Sequence, residues 1–110
     1  MTFDEYQEKA ITTLIVNPDP LMDKTILAMG VVGEAGEVIE KWKKIVAYND
    51  GVISAEDRVE LGKELADVVW YIAVLAERLG LSFDSLMQQN LEKLASRKSR
   101  GVQKGAGDNR

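Results

Sequence analysis

Apolar residues recur along the chain at three- and four-residue intervals, and that rhythm breaks at three places. Phe3, Tyr6, Ala10, Ile11, Leu14 and Ile15 stand at helical spacing, which predicts a first helix over residues 3–16. Asn17-Pro18-Asp19-Pro20 ends it, because each proline disfavours helix at the residue before it. A long second helix is expected from about Leu21 to Tyr48, with Gly30, Gly33 and Gly36 as places where it can kink. Asn49-Asp50-Gly51 reads as a turn. Ser54, with Asp57 three residues on, forms a capping-box pattern for a third helix ending near Gly80. Ser82 caps a fourth helix running to about Ser99. No segment alternates with period two over strand length. The pattern predicts an all-α protein, a helical bundle of four main helices. Residues 1–100 read as the folded domain, and residues 101–110 (GVQKGAGDNR) as a glycine-rich polar tail that needs a partner surface to be ordered.

On a helical wheel, Val31, Ala35, Val38, Ile39, Trp42, Ile45 and Val46 form one apolar stripe of the second helix. Glu34 falls on its border, Glu37 a step farther round, and Lys41 between them. The third helix repeats this arrangement. Leu61, Leu65, Val68, Val69, Ile72, Leu75 and Leu79 make its stripe, and Glu64, Asp67 and Tyr71 take the same three angular slots. If the two helices pack antiparallel and seam to seam, as their short connection suggests, the two acid pairs face one another. Like charges a few ångströms apart cost about 4 kcal/mol at an effective dielectric of about 20. A divalent cation relieves that cost, and carboxylate oxygens suit Mg²⁺ or Mn²⁺. The plain alternative is a solvated acidic face, with Glu37 and Lys41 as an ordinary (i, i+4) ion pair. Either acid pair alone favours that plain reading; two pairs in matching slots favour the metal.

The fourth helix carries Asn90 within a stripe of Phe83, Leu86, Met87 and Leu94, flanked by Lys93 and Arg97. A structural amide and a snorkelling basic edge account for these residues singly. Together, Asn90, Lys93 and Arg97 suit an anionic ligand that the metal also holds, since Lys and Arg beside a carboxylate-bound cation is how proteins hold phosphate chains. Lys104 and Arg110 in the tail extend that basic set. Trp42 is expected in the core, and Tyr71 against a base or ribose. Trp70, opposite its own helix's stripe, is expected to be exposed and to mark a subunit interface.

Composition narrows the chemistry. A length of 110 residues, 45% hydrophobic and 29% charged, fits one ordinary globular domain. The net charge of −4 argues against a nucleic-acid polymer as partner. There is no cysteine and no histidine, which removes disulfides, Ser-His-Asp and Cys-His triads, His-containing zinc sites and the Glu-x-x-His di-iron bundle. No run approaches the roughly 18 apolar residues that span a bilayer. MTFDEYQEKA is acidic where a signal peptide is basic and then apolar. A soluble, cytoplasmic protein without a membrane partner is expected.

Glu34-x-x-Glu37, followed after 26 residues by Glu64-x-x-Asp67, resembles the MazG-type all-α nucleoside triphosphate pyrophosphohydrolases, relatives of the all-α dUTPases and dCTP pyrophosphatases. The resemblance runs over nearly the whole chain: Glu5-Tyr6-Gln7, the GEAGEV and ELADVVWYI blocks, Asn90-x-x-Lys93-x-x-x-Arg97 and the closing KGAGDNR. It implies Mg²⁺-dependent hydrolysis of nucleoside triphosphates, deoxynucleotides first among them, to monophosphate and pyrophosphate. It implies Glu34, Glu37, Glu64 and Asp67 as metal ligands. Spacing does not separate a ligand from a base, and we assign Glu37 as general base with Glu64 beside it in the catalytic pair. Tyr71, Asn90 and Lys93 are implied at the nucleotide, where Arg97 and Lys104 join them by charge. The longer family pattern opens with two adjacent acids, and here the first is Gly33. Seams on two helices and an exposed Trp70 predict a homodimer, or a homotetramer built as a dimer of dimers, and the resemblance implies oligomers whose active sites lie close to subunit interfaces. Two alternatives stay open: a nucleotide-binding sensor without turnover, and a helical interaction module whose acids only solubilise it.

Overall fold

The computed structural model describes residues 1–110 and contains four helices and no strand. They are α1 (Phe3–Ile11), α2 (Pro20–Asn49), α3 (Ala55–Arg78) and α4 (Phe83–Ser99). The all-α expectation holds, and the starts of the helices follow the residues that cap them. Ser54 and Asp57 form the expected reciprocal capping box at α3, and Ser82 accepts from the Ser85 amide at α4. Asp19 caps α2, with Pro20 at the first helical position where its missing N–H costs nothing. A second capping box, Thr2 with Glu5, starts α1.

The first helix is shorter than its apolar spacing predicts. It ends at Ile11 because the Thr12 and Thr13 hydroxyls donate to the carbonyls of Lys9 and Ala10, at 2.6 and 2.7 Å. Those bonds compete with the helical ladder, and the amides of Thr12, Thr13 and Leu14 close tighter three-residue turns instead. Leu14 still packs on the core, whereas Ile15 is exposed. In α2 the ladder runs unbroken through all three glycines.

α2 and α3 form an antiparallel hairpin. Asp23 pairs with Arg78, Gly30 meets Tyr71, Glu34 meets Asp67 and Lys41 pairs with Glu60. As α2 advances from 23 to 41, its partner on α3 recedes from 78 to 60, residue for residue. α1 crosses the later part of α3 and also touches α4, which otherwise reaches only α3; the backbones of α2 and α4 do not approach each other. The small core is Ala10, Leu27 and Val74, flanked by Tyr6, Ile11, Leu14, Trp70, Tyr71 and Leu75.

Two buried polar side chains lock this arrangement. Gln7 donates through Nε2 to the carbonyls of Ala73 and Leu81, both at 3.0 Å, and accepts from the Phe83 amide. It thus ties α1 to the α3–α4 turn. Asp23 accepts from the Asn17 amide at 2.9 Å and pairs with Arg78 Nε at 3.2 Å, which fixes the start of α2 to the end of α3.

The predicted stripes are only partly covered. Ile45 is buried and Val31 and Val38 are half-buried, but Ala35, Ile39, Trp42 and Val46 are exposed. On α3, Ala73, Val74 and Ala76 are buried while Leu65, Val69 and Leu79 are exposed. The reason is geometric: α1 is too short to cover more than one part of the hairpin. Trp42 is therefore not a core residue within the chain. Trp70 reverses the expectation too. It is half-buried under the end of α1, donates from Nε1 to Thr13 Oγ1 at 2.9 Å, and meets Tyr71 edge-on with centroids 4.9 Å apart. Asn90 is exposed, and the buried members of α4 are Phe83 and Arg97.

Candidate active site

The antiparallel register sets acids of α2 against acids of α3. One carboxylate oxygen each from Glu34, Glu64 and Asp67 lies within 4.8 Å of the others. Glu34 and Glu64 are half-buried and Asp67 is exposed, so the cluster opens to solvent on one side. Burial, and then the charges of Asp67, Glu64 and Glu37, push the Glu34 carboxyl above the usual carboxylate range. Such crowding of like charge is what a divalent cation relieves, and an all-oxygen donor set suits a hard ion. Three carboxylates fit that group and leave room for other oxygen ligands.

The fourth acid takes another place. Glu37 is exposed and lies outside the cluster, though close enough for its charge to act on Glu34. Lys41 does not form the local pair with Glu37 that the (i, i+4) spacing suggests. It reaches across to α3, with Nζ 3.2 Å from Glu64 and 3.4 Å from Glu60. Its bonds to Glu64 and Glu60 outweigh partial burial and hold its pKa above the ordinary lysine value. Glu60 escaped the sequence reading, although it stands one turn before Glu64 on the same face.

Tyr71 lies one turn beyond Asp67, with its ring against Gly30. It shares a depression with Thr13, Leu14, Asn17, Ile26 and Trp70 at the α1–α2 connection. Tyr6 is placed near the acids from the α1 side. Burial first, and then the charge of Asp67, raise its phenol above the ordinary tyrosine value.

The basic set is not brought to the acids within one chain. Lys93 Nζ binds Asp108 Oδ1 at 2.8 Å, and Arg97 Nη2 binds the same oxygen at 3.1 Å and the Asp108 carbonyl at 2.7 Å. Asn90, Lys93 and Asp108 line one shallow cleft with Leu86, Met87 and Gln89. Lys104 is exposed and makes no ion pair. Asp108 was also missed, though it is the one acid of an otherwise basic tail.

An all-α hairpin that converges acids from two ExxE/D segments defines a class of carboxylate-lined helical proteins. The MazG nucleotide pyrophosphohydrolase domain matches residues 23–102, and the chain belongs to that family. The chain is also 46% identical over 114 residues to the "Gene 37 protein" of Mycobacterium phage L5, with all of both chains covered. No solved structure matches it. None of its helices is long and apolar enough to cross a membrane.

Proposed function

We propose that this protein hydrolyses nucleoside triphosphates, with deoxynucleotides as the preferred class, to the monophosphate and pyrophosphate in a Mg²⁺-dependent reaction that Mn²⁺ also supports. The convergence of Glu34, Glu64 and Asp67 carries this reading, together with membership of the MazG family. Those three carboxylates would hold the ion. When bound, it supplies charge neutralisation along the triphosphate and acidifies a coordinated water.

The chain's own groups do the rest. To Glu37, one turn from Glu34 and outside the cluster, we assign the proton of the attacking water. Glu64 is both a ligand and an aligning acid, its Oε1 held by Lys41. Attack at the α-phosphorus breaks the α–β bridge, and the pyrophosphate leaves with the bridging oxygen. Tyr71 contacts the nucleoside, while Asn90, Lys93, Arg97 and Lys104 take the phosphates.

Because α4 stands away from α2, we assign that last contribution to a second copy of the chain. The uncovered stripes support a homo-oligomer, a dimer or a dimer of dimers: Ile39 is 66% exposed and Leu65 is 55% exposed. The radius of gyration is 17.0 Å. A self-sufficient domain of this length has about 13 Å.

The test is incubation with a panel of ribo- and deoxyribonucleoside triphosphates, with and without Mg²⁺, assaying pyrophosphate and orthophosphate separately. Magnesium-dependent pyrophosphate, abolished by Glu64→Gln, is expected. Binding without any product would favour the sensor, and neither binding nor product the interaction module.

A further inference from the structure

Arg97 is a buried charge whose anion is on the surface. Its side chain is 8% exposed, while that of Asp108 is 76% exposed. The Arg97 Nε is buried without a hydrogen-bond partner, so the guanidinium is only partly satisfied. A buried cation of this kind calls for an anion with several acceptor oxygens, such as a phosphate chain. What it holds instead is a single residue of the tail, through the Asp108 carbonyl at 2.7 Å and the Asp108 carboxylate at 3.1 Å. Asp108 Oδ1 is shared between Lys93 and Arg97, as a phosphate oxygen is when two cations clasp it.

The tail is built to leave as a unit. Arg110 folds it on itself, donating to the carbonyls of Val102, Gln103 and Gly107. Gly101, Gly105 and Gly107 all have positive φ, so the path is one that glycine adopts without strain. These bonds survive if Asp108 lets go of α4, whose C-cap also holds the tail through Arg100 Nη2 and the Arg110 carbonyl at 2.7 Å.

We propose that Asp108 is a built-in competitor for the phosphate chain: it occupies the Lys93–Arg97 pair in the free protein, and a polyphosphate displaces it and releases the tail. The proposal rests on the reading of Lys93 and Arg97 as phosphate-binding residues. The two bonds to Lys93 and Arg97 also hold the Asp108 carboxyl below its ordinary value, so the latch stays charged at neutral pH.

The experiment uses inorganic tripolyphosphate in EDTA, so that the acid cluster takes no part. Its affinity is measured by calorimetry for the wild type, Asp108→Asn and Arg97→Met, and hydrogen exchange of residues 102–110 is followed on the wild type. Asp108→Asn is expected to bind roughly two- to fivefold more tightly, the size of a lost exposed ion pair. Tripolyphosphate is expected to speed exchange across the wild-type tail. Unchanged or weaker binding by Asp108→Asn, or a tail that stays protected at saturation, overturns the latch while a loss in Arg97→Met keeps the phosphate assignment. Binding that neither variant alters overturns the assignment and the latch with it.

Discussion

The Tyr71 ring rests on the backbone of Gly30, where a β-carbon would run into it. Gly30 stands one turn before Glu34 and Tyr71 one turn after Asp67. This close approach therefore helps set the separation at which the two acids meet. In Gly30→Ala, overpacking is expected to cost about 1–3 kcal/mol. Helix propensity offsets about 1 kcal/mol of that, so a net loss of up to about 2 kcal/mol is expected. Urea denaturation measures it; an unchanged midpoint would show that the ring has room to move.

Gln7 makes the most consequential buried amide contact. Gln7→Ala leaves the Ala73 and Leu81 carbonyls and the Phe83 amide without that partner. A loss of roughly 3 kcal/mol is expected, since buried unsatisfied groups cost about 1–3 kcal/mol each and water recovers part. Gln7→Glu should do no better at neutral pH, because it sets a carboxylate against two carbonyls. Thermal melts of both variants check this.

What the sequence showed and what it hid divide along a physical line. Helix starts are local, and Ser54, Ser82 and the Asn49–Gly51 turn were readable from single side chains. The convergence of Glu34, Glu64 and Asp67 was readable because angular slots on two helices follow from spacing alone, whereas Glu37, expected with them, lies a step farther round and outside the cluster. The helix end at Ile11 was hidden, since it depends on hydroxyls of Thr12 and Thr13 winning carbonyls from the ladder. The reversed fates of Trp42 and Trp70 depend on where a nine-residue helix lies, which periodicity does not state. Gly30 looked like a kink and is a contact. Asn90 sat in an apolar stripe and is exposed, because α4 is covered only by α1 and a little of α3. Lys41 had two geometrically allowed partners, and only the packed hairpin selects α3.

The cluster has a pH signature in metal-free protein. Glu34 titrates above its unfolded value, so it favours the fold below the unfolded carboxylate pKa and loses that contribution as pH rises through the folded one. Glu34→Gln should therefore melt higher than the wild type in EDTA at neutral pH, with the difference vanishing at acid pH. Adding Mg²⁺ should raise the wild-type melting temperature and leave the variant's unchanged. A wild type indifferent to Mg²⁺ at every pH would count against the metal site.

Gly33 offers a gain-of-function test. Nothing lies within 4 Å of where its β-carbon would be, and the family pattern has an acid there. Gly33→Glu should fold normally and lower the Mg²⁺ concentration for half-maximal turnover several-fold, on the order of what one added carboxylate contributes to ion affinity. Titration of activity against Mg²⁺ reads it out, and an unchanged curve would place position 33 outside the ion's reach.

The most direct test of the central claim is hydrolysis of a deoxynucleoside triphosphate in ¹⁸O-labelled water, with Mg²⁺, followed by mass spectrometry of the products. Attack at the α-phosphorus puts the label in the nucleoside monophosphate and none in pyrophosphate. Asp67→Asn should reduce turnover by more than about a hundredfold, since even outer-shell partners of a metal cost up to about that much. Label in pyrophosphate or orthophosphate, or turnover that survives Asp67→Asn, would contradict it.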